Sequence, residues 1–115
     1  AIEVWAMAQS RPESGLAILT CGKRDISYDL ELPQVVGVYV ESTASFTPPP
    51  ADWRVVGLND QHAYLRGTGE EHQALKVGDL VLLGISHPCT TFDKWRWIPV
   101  VDDDYTVCDA IVTCF

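Results

Sequence analysis

The chain has 115 residues, a formal net charge of −8 at pH 7 and a pI near 4.6, enough for one domain with a real core and too little for a large enzyme fold. An apolar fraction of 47% with 21% charged residues is that of an ordinary soluble globular protein, and no apolar run approaches the roughly 20 residues that cross a bilayer. Eight scattered Lys and Arg against sixteen Asp and Glu argue against nucleic acid and against anionic membrane surfaces, where affinity comes from neutralising phosphates.

In chain order, strands are predicted over residues 3–8, 16–21, 35–41, 53–59, 63–66, 80–85, 96–101 and 106–114, all rich in Val, Ile, Trp and Tyr. The chain begins at Ala1 in what reads as mid-strand, with no initiator Met, basic n-region or cleavage motif; it is expected to be a piece of a longer protein rather than to carry a signal peptide. Turns are expected at residues 11–15, 67–69 and 77–79. The proline-rich stretch 42–50 reads as an extended surface loop, and Asp102-Asp103-Asp104 as a solvated turn. Short helical turns are expected near 27–30 and 92–95, and no longer window has helical periodicity. So many short strands predict an all-β fold, a small β-barrel or sandwich. Cys21, Cys89, Cys108 and Cys114 form no CxxC pair or dense framework, which fits a reducing compartment and makes cytoplasmic the default location.

Chemistry concentrates in Ser86-His87-Pro88-Cys89-Thr90-Thr91-Phe92, just after the apolar run 80–85. If this stretch is extended, residues two apart share a face, so His87 and Cys89 aim at one point; both are good zinc ligands. Two ligands alone fall short of a metal site, and on spacing alone a buried cysteine that acts as a small hydrophobe is the better account of Cys89. His62 reads as a hydrogen-bonded histidine at a strand end, and His72, after Glu70-Glu71 in a polar loop, as exposed. Residues 21–29 mix a glycine, charges and the Tyr28 phenol after an apolar strand, which suits a pocket lining or a charged connection. No nucleophile elbow, phosphate-cradling glycine loop or HExxH stands in the chain.

Three segments in order, Asn59-Asp60-Gln61-His62-Ala63-Tyr64-Leu65, Leu75-Lys76-Val77-Gly78-Asp79-Leu80-Val81 and His87-Pro88-Cys89-Thr90-Thr91, together resemble the C-terminal domain of the D-serine dehydratase and D-threonine aldolase group. These are alanine-racemase-like, fold type III PLP enzymes. The closing stretch 92–105 looks like the bacterial D-amino-acid deaminase branch, and the similarity runs from about Trp5 to the C-terminus.

The resemblance implies that all of residues 1–115 form the C-terminal β-domain. A barrel domain outside this chain would carry PLP on a lysine, and the whole would be a homodimer acting on a small D-amino acid. It implies zinc on His87 and Cys89, and a substrate entrance near Tyr28 and Asp29, with His62 matching a family histidine although Asp60-Gln61 replaces the usual Glu-Glu. Glu70-Glu71-His72 has that triplet literally but at the wrong distance, and is taken as a decoy. The implied activity is dehydration and deamination of D-serine or D-threonine to 2-oxo acids and ammonia. PLP is then the electron sink for α-proton loss and zinc the Lewis acid on the β-hydroxyl. The aldolase branch more often has an aspartate where Cys89 stands, so Cys89 favours the dehydratase over the aldolase. Lys23, Lys76 and Lys94 match no Schiff-base position, so this chain alone is expected to be inactive. The aldolase reaction and a non-catalytic binding module remain the alternatives.

Overall fold

Alternation shapes the first strand of the computed structural model, which describes residues 2–85 and 87–114. In β1 (Glu3–Glu13), Val4, Ala6 and Ala8 are buried while Glu3, Trp5, Met7 and Gln9 are exposed, the period-2 pattern of a half-buried antiparallel strand. β1 outruns the expected 3–8. Its first half pairs with β7 (Leu80–Gly84), and register shifts after Ala8 and Ser10 carry its second half along β2 (Leu16–Leu19). Such bulges bend a strand and sharpen its twist.

The remaining elements are β3 (Gln34–Val40), β4 (Ser45–Thr47), β5 (Arg54–Leu58), β6 (Ala63–Arg66), α1 (Gly69–Ala74), α2 (Pro88–Phe92), β8 (Trp97–Val101) and β9 (Val107–Val112). Seven strands form one antiparallel sheet in the order β4-β3-β7-β1-β2-β6-β5; β8 and β9 make a separate hairpin. β3 and β5, near opposite edges, approach one another, so the sheet curls into a half-barrel. Ala6, Ala8, Ala17 and Ala63 are at most 1% exposed: small side chains let the strands curl closely, and Leu19, Ile26, Leu65, Val81 and Leu83 fill the space they leave. The all-β expectation holds, and no helix among the described residues is long and apolar enough to cross a membrane.

Several local expectations are corrected. Part of the 42–50 loop is ordered: a 3₁₀ turn over Glu41–Thr43, with Ala44 left-handed, reverses the chain so that β4 pairs with β3. Residues 27–30 form no helix. The helical turn expected at 92–95 lies earlier, as α2, because Pro88 occupies the first helical position, where its fixed φ is preset and its missing N–H costs nothing. The extended geometry assumed for 86–92 therefore does not carry the His87–Cys89 pairing; Ser86 lies outside the described residues.

His72, expected in an exposed loop, is fully buried on α1. Its Nε2 lies 3.2 Å from the Leu65 carbonyl and its Nδ1 3.1 Å from Arg11 Nη2; Arg11 also donates to the His72 and Leu75 carbonyls, and the Trp53 ring packs edge-on. Burial drives the His72 pKa below its ordinary value, since charging the ring there would strip it of water. The acidic turn is as expected: the Asp102 carboxylate accepts from the Asp104 and Thr106 amides in an exposed loop.

Candidate functional site

Two segments far apart in sequence, the loop after β2 and α2, are cross-linked to each other. Ile26 and Ser27 are buried, and the Ser27 amide donates to Thr91 Oγ1 at 2.9 Å, with Thr91 itself fully buried. Trp95 Nε1 donates to the Asp25 carbonyl at 2.7 Å. With these anchors made, Asp29 meets α2 head-on: its Oδ2 lies 2.6 Å from His87 Nδ1, and the Thr90 hydroxyl is 3.2 Å from its Oδ1. The Thr90 oxygen is equally 3.2 Å from the His87 carbonyl, so its one proton is shared between two acceptors. The hydrogen bond with His87 is the chief reason that the Asp29 carboxyl sits below its ordinary pKa, with Thr90 adding to it.

The structure thus brings two of the sequence-predicted residues, Asp29 and His87, into direct contact. Cys89 is exposed on the first turn of α2, two residues beyond His87. Tyr28 is exposed beside Asp29, with Lys23 Nζ 5.2 Å above its ring, within the range of a cation–π contact. His62 stands apart: its Nε2 lies 3.1 Å from Gln9 Oε1, and it lines a polar depression with Gln9, Thr20, Arg24, Asp25 and Gln61. The strand-end reading of His62 is therefore observed, and among the described residues no hydrogen bond or ion pair joins His62 to Asp29 or His87. Sequence reasoning missed Thr90 and Thr91. Their signal was weak: Thr90 stands three residues after His87, the spacing of a helix cap and its first turn, and only the folded chain shows what the two threonines hold.

For a metal, the donor chemistry fits in part. With Nδ1 committed to Asp29, the His87 ring keeps Nε2 available to a ligand, and the thiol two residues on is exposed; a metal-ligating histidine typically has its second ring nitrogen on a carboxylate in this way. Among the described residues no group of three or more His, Cys, Asp or Glu is placed to hold a metal ion, so remaining coordination positions would fall to water, substrate or another part of the protein. For PLP there is no fit within this chain: Lys23 lies over Tyr28, Lys94 sits 4.0 Å from Asp93, and Lys76 is exposed.

A curled antiparallel half-barrel that carries a histidine–carboxylate clasp defines a small β-domain. The chain belongs to the family of putative serine dehydratase domains, whose model matches residues 1–101. In three dimensions it is similar to the crystal structure of D-threonine aldolase from Filomicrobium marinum, with a TM-score of 0.75 and 21% identity over 94% of this chain. The chain spans 26% of the length of that enzyme. No curated protein matches its sequence.

Proposed function

We propose that this chain is the C-terminal β-domain of a PLP- and zinc-dependent dehydratase that converts β-hydroxy D-amino acids, D-serine and D-threonine among them, to 2-oxo acids and ammonia. Membership of the serine dehydratase domain family supports the reaction class. The observation that carries the site is the 2.6 Å contact of His87 Nδ1 with Asp29, which leaves Nε2 as a donor close in sequence to the exposed Cys89 thiol.

His87 and Cys89 are the zinc ligands in this reading. When bound, zinc provides Lewis acidity at the substrate β-hydroxyl, and PLP, held by a lysine of a preceding barrel domain, provides the electron sink. This chain's part is geometric: His87 caps α2 and Cys89 lies in its first turn, and contacts with the 25–29 loop tie this segment down. Tyr28, next to Asp29 in the chain and exposed, is the substrate-entrance residue in this reading. Trp97, Val107 and Val112 of the β8–β9 hairpin are more than half exposed and offer apolar surface to the barrel domain and to the second subunit of a dimer. Four free cysteines accord with a cytoplasmic enzyme.

The test is product analysis of the full-length protein with D-threonine, with and without a chelator. Ammonia and 2-oxobutanoate, lost on chelation and restored by zinc, are expected. Glycine with acetaldehyde would assign an aldolase, and no product would leave a non-catalytic binding module.

A further inference from the structure

We infer that Asp29, steadied by Thr90, is the positioning residue that fixes the His87 ring for metal binding, rather than a group that meets substrate. This deepens the zinc reading above and rests on it. Both carboxylate oxygens of Asp29 are engaged inside the chain, Oδ2 with His87 Nδ1 at 2.6 Å and Oδ1 with the Thr90 hydroxyl at 3.2 Å. Both contacts run to the segment that carries His87, so the carboxylate is tied to the ring it faces.

The pairing sets the tautomer. In the neutral ring, a hydrogen on Nδ1 donated to Asp29 leaves the lone pair on Nε2, the form that a metal requires. Among the described residues Nε2 has no hydrogen-bond partner, so nothing in this part of the chain competes for that lone pair. The contact also restrains the ring's orientation. Asp29 is not carried on a free loop: Ser27 is tied to the buried Thr91, within the short helix that His87 caps, and the Asp25 carbonyl to Trp95, just beyond its end. The carboxylate and the imidazole are thus held by one set of cross-links, and rotation of His87 about its side-chain bonds would break its contact with Asp29.

The test measures zinc affinity of the full-length protein by competition with a chromogenic chelator. It is run on wild type, Asp29→Asn, Asp29→Glu, Thr90→Val, His87→Ala and Cys89→Ser, each with its melting midpoint. Asp29→Asn is expected to weaken zinc roughly 10- to 100-fold, Asp29→Glu to recover part of that loss, and Thr90→Val to cost less than Asp29→Asn. The melting midpoint of Asp29→Asn should stay at the wild-type value. With cobalt at saturation, the thiolate charge-transfer band should persist in Asp29→Asn and vanish in Cys89→Ser, so that affinity changes while the ligands do not. If wild type binds no zinc, or His87→Ala binds it as well as wild type, the zinc reading fails and takes this inference with it. If His87→Ala loses zinc but Asp29→Asn keeps wild-type affinity, the zinc reading stands and the role of Asp29 is overturned. A lowered melting midpoint in Asp29→Asn, with weaker zinc binding that Asp29→Glu does not recover, would make Asp29 a structural residue and overturn it equally.

Discussion

Gly22 is where the candidate site is most vulnerable to a single methyl group. A Cβ built there would lie 2.4 Å from the Gln61 amide nitrogen, 2.5 Å from the Asp60 carbonyl carbon and 2.6 Å from the Asn59 oxygen, all of them backbone atoms. No side-chain rotation relieves such contacts, so in Gly22→Ala one of the two backbone segments must withdraw. Withdrawal breaks the hydrogen bonds Lys23 N–H to Asn59 O (2.8 Å) and Arg24 N–H to Asp60 O (3.1 Å). Overpacking costs about 1–3 kcal/mol, and two lost backbone hydrogen bonds add about 1 kcal/mol each. A loss of about 3–5 kcal/mol is expected, a large share of the roughly 5–15 kcal/mol of a typical domain. At about 4 °C per kcal/mol for a chain of this size, the melting midpoint should fall by about 12–20 °C. The assay is urea denaturation and thermal melting followed by circular dichroism, with Gly57→Ala as control, since a Cβ there meets only Tyr64 Cδ2 at an ordinary 3.7 Å. If Gly22→Ala loses less than about 1 kcal/mol or matches the control, the close approach of the two segments is refuted. The claim that the loop leading to Asp29 is anchored at residues 59–61 would fail with it.

Thiol chemistry should separate the cysteines. Cys89, Cys108 and Cys114 are exposed and should react with a maleimide in the native chain, while the Cys21 thiol, pushed up to about 12 by burial and then by Asp25, should react only on denaturation. Added zinc should slow the labelling of Cys89 and leave Cys108 and Cys114 unchanged, as peptide mapping would show. Acid should weaken the fold through His72, whose folded pKa lies below the unfolded 6.5. Between the two values the unfolded chain binds more protons, so this stabilisation is complete above about pH 6.5 and is lost as pH falls towards the folded value. Urea midpoints at about pH 7.5 and 5.5 should differ more for the wild-type chain than for His72→Gln; equal differences would remove His72 as the cause. Asp52, held below its ordinary 3.8 by Thr68, acts in a separate and lower window. Finally, the 115-residue chain mixed with PLP should show no absorbance band that borohydride bleaches into a stable adduct, because no lysine here lies in an enclosed site; such a band would contradict the assignment of PLP to another domain.

What the sequence disclosed and what it hid divide along the range of the interactions. Alternation in β1 and the apolar run of β7 are written in adjacent residues, and both strands were legible from period alone. β4 was not, because three residues that pair with β3 only after a 3₁₀ turn have no period of their own to display, and the neighbouring prolines pointed to a loop. α1 left a faint trace: His72 and Leu75, three apart, are both buried, while Glu70, Glu71, Gln73 and Ala74 are exposed. Six residues, under two helical turns, are too few for that spacing to stand out against a polar composition, so the sequence reads the histidine as solvent-exposed. The site follows the same division. His87 and Cys89 were found because they are neighbours, yet the geometry first used to join them was wrong, since Pro88 starts a helix where an extended strand was assumed. The Asp29 contact spans 58 residues, and no local pattern could have announced it. That distance also gives it meaning. A carboxylate brought across the fold, locked by buried Ser27 and Thr91 and aimed at one ring nitrogen of the histidine beside the only exposed thiol of α2, goes beyond what a solvated surface turn would need. Surface ion pairs alone contribute little stability, so the expense of holding this one in place is better explained by the ring it orients than by the fold it joins.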